Sequence, residues 1–154
     1  MHLVAMTAAH FDWLLGTCAA PVDAPTRIAD GGIAEPAILE LMRDLAVELG
    51  GEAAWLMVVD DAAVGIVSIK SRGESQLWDI GYGVAPSANG RGHATVAVGL
   101  TIARARALGA AGLTAETLAG GGTSSRILQR NGFGCTGQFD HPEDGMVDQW
   151  AVTW

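Results

Sequence analysis

Val84-Ala85-Pro86-Ser87-Ala88-Asn89-Gly90-Arg91-Gly92-His93-Ala94-Thr95 joins the best strand candidate of the chain to its longest apolar helix candidate. Gly90 and Gly92 lack a Cβ, so the backbone there reaches φ > 0 freely and can approach a ligand closely. The first turn of the next helix offers N–H groups without an intrahelical partner, at the positive end of the helix dipole. Together these features make an anion site suited to a diphosphate. A plain glycine-rich connection has the same spacing, so the flanking sequence decides between the two.

Upstream, Leu77–Val84 alternates: Trp78, Ile80, Tyr82 and Val84 share one face, and Asp79, Gly81 and Gly83 the other. Two glycines on one strand face weaken the strand and suit close approach of a ligand. Downstream, residues 94–108 are rich in Ala, Val, Leu and Ile around most of the helix, which predicts a largely buried helix. Residues 113–118 read as a strand, Gly120-Gly121-Gly122 breaks it, and Thr123 or Ser124 caps a helix that runs to Asn131. Strands over residues 135–140 and 146–153 flank a turn at residues 141–145.

Towards the N-terminus, residues 3–6 suggest a first strand and residues 8–15 a helix capped by Thr7. Residues 17–34 carry Pro21, Pro25, Gly31 and Gly32 and predict a loop or mobile lid over a substrate groove. Pro36–Leu49 is amphipathic, with Ile38, Leu41, Met42, Leu45 and Leu49 on the stripe expected to be buried. Residues 54–59 and 64–71 form a hairpin across Asp60-Asp61-Ala62-Ala63. The expected fold is an α/β (α+β) mixed sheet of about seven strands with about four helices, in one domain over residues 1–154.

The formal charge of −8 argues against a nucleic-acid or anionic-membrane partner, either of which needs a basic face. Residues 80–139 depart from that balance, with Arg91, Arg104, Arg106, Arg126 and Arg130 against Glu116 alone. Basic charge concentrated around the glycine loop suggests a small polyanionic ligand. Cys18 and Cys135 form neither a disulfide framework nor a zinc motif, so no metal is expected, and a reducing, cytoplasmic setting is the default. His2, His10 and His141 show no constellation and read as surface or turn residues. Trp150 and Trp154 fit either a homodimer contact or the core.

At this point the chain resembles the GNAT superfamily of N-acetyltransferases, and within it the ribosomal-protein N-terminal (RimJ/RimL-like) group. Asn89-Gly90-Arg91-Gly92-His93-Ala94 fits the family's Arg/Gln-x-x-Gly-x-Gly/Ala motif at all but its first position. Trp78-Asp79-Ile80-Gly81-Tyr82-Gly83-Val84-Ala85-Pro86 fits its flank. Glu116-Thr117-Leu118, Ser124, Arg126, Leu128 and Gly132-Phe133 match the second signature in order and spacing.

The resemblance implies a centrally splayed sheet and acetyl-CoA as cofactor, its pyrophosphate held by Asn89, Gly90, Arg91, Gly92, His93, Ala94 and Thr95. Ser124, Arg126 and Arg130 are further CoA contacts, and the amide of Val84 or Ala85 is expected to polarise the thioester carbonyl. Direct attack by a primary amine, from a small molecule or a peptide N-terminus, needs a proton acceptor and a proton donor. Asp79 is the candidate base, and Glu116 the alternative. Many relatives carry an acidic tyrosine where this chain has Leu128, which leaves Ser124 as the hydroxyl near the departing sulfur. Gly121 stands where the group has an asparagine. These departures support a second reading, a non-catalytic acyl-CoA-binding module.

Overall fold

A computed structural model describes residues 1–154. In chain order the elements are β1 (His2–Ala5), α1 (Ala8–Leu14), β2 (Arg27–Ile28), α2 (Pro36–Leu49), β3 (Ala54–Val59), β4 (Ala62–Arg72), β5 (Leu77–Val84), a 3-10 turn (Pro86–Ala88), α3 (His93–Ala107), β6 (Gly112–Leu118), α4 (Thr123–Arg130), β7 (Gly134–His141) and β8 (Gly145–Thr153). The sheet runs β1-β3-β4-β5-β6-β8-β7, with the two-residue β2 beside β4. Hairpins make the neighbours antiparallel, and the crossover through α3 makes β5 and β6 parallel, as the alternation of strands and helices requires. The β3–β4 turn is tighter than expected. Asp60 and Asp61 both take positive φ, at 48° and 60°, which is the geometry of a two-residue hairpin turn.

One seam is incomplete. β5 and β6 pair only from Leu77–Asp79 to Gly112–Thr114, and then diverge. Gly112 sits at the closed end of that seam, where a Cβ would meet the Val152 carbonyl at 2.5 Å and the Leu77 side chain at 2.8 Å. The residue there must be glycine for the three strands to close up. The core is aliphatic and aromatic, with Phe11, Trp55, Leu56, Met57, Ile66, Ile80, Leu113 and Leu128 almost wholly buried. Burial of that surface drives folding.

Several expectations need correction. In α2 the residues packed on the core are Leu39, Met42, Ala46 and Leu49, whereas Ile38 and Leu41 are 48% and 56% exposed. The helix carries two adjoining apolar stripes, and the sequence cannot say which one the sheet covers. α3 buries one face through Ala94, Ala97, Val98, Thr101 and Ala105, but leaves Val96 and Leu100 exposed. Residues 17–34 are a tethered loop. Asp23 accepts from His10 Nε2 at 2.7 Å, the Thr26 amide donates to Asp61 at 3.2 Å, and β2 takes the edge of β4 that β5 vacates. His10 is therefore buried, not a surface residue; its Nδ1 accepts the Thr7 amide at 2.9 Å, which places the proton on Nε2. Trp150 belongs to the core, its indole donating to the Thr117 hydroxyl at 2.9 Å, and Trp154 donates to the Ala110 carbonyl.

Candidate active site

The glycine loop forms a cradle. Gly90 and Gly92 adopt φ of 76° and 78°, and Gly92 is the residue from which α3 starts. Val96 is the first amide bonded back along the helix, to the Gly92 carbonyl at 3.2 Å, so the N–H groups of His93, Ala94 and Thr95 have no helical acceptor. They open into a cavity of about 220 Å³ lined also by Val84, Asn89, Gly90 and Gly92. α4 supplies the opposite wall through Thr123, Arg126, Ile127 and Arg130. Thr123, expected with Ser124 as a helix cap, is the first residue of α4, which Gly122 caps; neither it nor Ile127 was read as a lining residue, although positions 123, 126, 127 and 130 have the spacing of one helical face.

Not every cradle candidate reaches the cavity. Arg91 is exposed and outside its lining, as is Ser124, whereas Ala85 is fully buried. The basic segment also divides. Arg104 lies near the far end of α3, where its guanidinium is held by Glu52 in a two-pronged contact (Nε to Oε2, 2.6 Å). At ~1.5 Å of helix rise per residue it stands some ~17 Å from the glycine loop. The cradle keeps Arg126 and Arg130 on its wall.

From the cradle, the free edge of β5 leads into the seam. The Ala85 amide donates to the Val64 carbonyl at 2.8 Å, so it cannot serve an oxyanion. In an antiparallel ladder successive amides alternate in direction. Between Gly81 and Ala85 this turns the N–H of Tyr82 and Val84 away from β4, into the gap left by β6. Of the two amides expected to polarise a carbonyl, Val84 keeps that position.

The faces of the sheet separate the remaining candidates. Asp79 and Glu116 lie on one face, along a polar trough of about 330 Å³ with Thr114 and Gln149. Asp79 Oδ1 accepts from the Thr114 hydroxyl at 2.9 Å, and Oδ2 lies 3.5 Å from Lys70 Nζ. Glu116 is exposed and makes no ion pair. On the other face are Ser124 and, beside it, a hydroxyl the sequence had not offered. The Tyr82 phenol donates to the Ser124 carbonyl at 3.3 Å, and burial pushes its pKa above the ordinary 10.0. Leu128, at the position of the missing tyrosine, is wholly buried. Only the gap between β5 and β6 is within reach from both faces.

A third cavity, about 260 Å³, lies on the Asp79 face beneath α2. Its walls are Ile38, Leu41 and Leu45 from α2 and Ile33 from the end of the tethered loop, and its floor is Ile66, Ser68, Lys70, Gly81 and Gly83. A Cβ on Gly83 would meet nothing within 4 Å, so the strand face is open there, whereas the Lys70 side chain lies 3.4 Å from where a Cβ on Gly81 would be.

Cradle, seam and fold together define an acyl-transfer domain, and the chain belongs to the GNAT acetyltransferase family. The family model described as acetyltransferase (GNAT) domain matches residues 31–134, the span from the end of the loop to β7. Among solved structures, the ribosomal-protein-alanine N-acetyltransferase of Brucella melitensis superposes with a TM-score of 0.72 at 16% identity, covering 100% of each chain. RimL, an alpha-N-protein acetyltransferase of a ribosomal protein, solved with coenzyme A, gives 0.73 at 15% identity over 98% of this chain and 92% of that one. The microcin C7 self-immunity acetyltransferase MccE, in complex with acetyl-CoA and AMP, gives 0.64 at 16% over 77% and 69%. At these identities the likeness is one of fold. No curated protein sequence matches the chain.

Proposed function

We propose that this N-acetyltransferase domain moves an acetyl group from acetyl-CoA to a primary amine by direct attack on the thioester. The observation that carries the reading is continuity: three unpartnered helix amides and two arginines at the cradle run directly into the open β5 edge. A pyrophosphate on the amides of His93, Ala94 and Thr95, with Arg126 and Arg130 alongside, leaves the pantetheine arm to lie in the seam as an added strand. The Val84 amide then points at the thioester carbonyl.

The acceptor amine approaches from the Asp79 face. Its nitrogen bonds to the carbonyl carbon, its proton passes through water to Asp79, and the carbon–sulfur bond breaks. The thiolate is protonated from the opposite face, by Tyr82 in place of Ser124. A phenol is protonated at neutral pH and burial raises its pKa further, so Tyr82 holds the proton that the thiolate takes. Glu116 borders the same trough as Asp79 and is the alternative acceptor. We place the reaction in the reducing cytoplasm, which suits two free, exposed cysteines, and no helix is long and apolar enough to cross a membrane.

The test is calorimetry with acetyl-CoA, beside CoA release over a panel of primary amines. Binding with turnover supports the proposal; binding without turnover on any amine leaves the non-catalytic module. Asp79→Asn should keep binding and lose about 100-fold or more in turnover, as expected for removal of a proton acceptor. Unchanged turnover in that variant takes Asp79 out of the role.

A further inference from the structure

The cavity under α2 opens beside the reacting seam through Gly81 and Gly83, and its chemistry differs from that of the protein surface. The surface is acidic overall, which by itself favours a cationic acceptor. Locally the balance is reversed. Ile33, Ile38, Leu41 and Leu45 line the walls, and the one charged group among the lining residues is Lys70, the only lysine in the chain. The nearest carboxylate, Asp79, is already held by Lys70 and Thr114.

We propose that the acceptor is a primary amine flanked by an uncharged aliphatic or aromatic group, which occupies the cavity under α2 while the amine meets the thioester. The inference rests on the acetyl-transfer reading and names its substrate class. Three features bear on it. Ile38 and Leu41 are half exposed on a helix that has a separate core-facing stripe, so they are not needed to hold α2 in place. A volume near 260 Å³ accommodates a side chain of leucine or phenylalanine size together with the atoms that link it to the amine. Lys70, the one charged side chain on the cavity wall, repels a second positive charge on the acceptor.

The experiment compares leucinamide, phenylalaninamide, glycinamide and lysinamide as acceptors for the intact protein with acetyl-CoA; their α-amines are of similar basicity, and for lysinamide only the α-acetyl product, separated from the ε-acetyl one, is counted. Burying the apolar side chain predicts kcat/KM about tenfold or more above glycinamide for the first two. Lysinamide should be the poorest of the series. Leu41→Gln should compress the ratio of leucinamide to glycinamide, and Lys70→Gln should raise lysinamide relative to glycinamide. Equal rates for leucinamide and glycinamide, or a preference for lysinamide, overturn the inference while leaving acetyl transfer intact. Acetyl-CoA binding without turnover on any amine overturns both, and the calorimetric signal tells this outcome from an unfolded preparation.

Discussion

Gly92 separates backbone from space. Its φ of 78° lies where a Cβ is strained, yet nothing stands within 4 Å of where that Cβ would be. Gly92→Ala should therefore lose about 1 kcal/mol of stability through the left-handed conformation alone, with acetyl-CoA affinity within a few-fold of the parent. Gly92→Trp fills the cradle and should abolish binding. Thermal melts and calorimetry on the two variants distinguish strain from occlusion. Tyr82→Phe tests the other residue-scale assignment. It should lower turnover by about 100-fold or more, the usual range for a general acid, and leave acetyl-CoA binding unchanged; a normal rate would return the role to Ser124 or to solvent.

At the scale of elements, α2 has two separable tasks. Leu39 is 4% exposed, so Leu39→Ala should destabilise by about 2–4 kcal/mol in urea unfolding. Leu41→Ala should stay within about 0.5 kcal/mol. The sequence located this helix correctly from Pro36 to Leu49 but assigned Ile38 and Leu41 to the core, because periodicity reveals an apolar stripe and not what covers it. The same limit applies to α3, where Val96 and Leu100 look inward by composition but face outward. Strand positions were more legible, since alternation in β5 and the glycine breaks leave few alternatives. The cradle was legible because its chemistry is local. Tyr82 was not, as its phenol meets α4 across 42 residues of chain.

Over the whole molecule, long-range polar contacts hold the layers. The Arg104 guanidinium keeps the Glu52 carboxyl below its ordinary 4.5, joining α3 to the segment before β3. A depressed native pKa stabilises above the unfolded value, and the contribution is lost as pH falls through the native one. Wild type should thus exceed Glu52→Gln in stability at pH 7, and the two should converge in acid below 4.5. Urea titrations at several pH values check this, and a constant difference across that range would exclude the pair as its source. Arg72 has a comparable role. Its guanidinium donates to the carbonyls of Leu49, Gly50 and Glu52 and stacks 5.0 Å from the Trp78 ring, so the end of α2 is fastened to β5.

In the proposed complex the short seam between β5 and β6 would make the cofactor a structural member as well. Three residue pairs close the sheet at one end; at the other, the edge that a strand would occupy is the place proposed for a pantetheine arm. A ligand at a hundred times its Kd adds about 2.7 kcal/mol to the folded state. Here that gain falls on the crack itself, so the amides of Tyr82 and Val84 should exchange fast in the empty protein and slowly in the loaded one. Protease resistance in vitro should then rise with acetyl-CoA concentration.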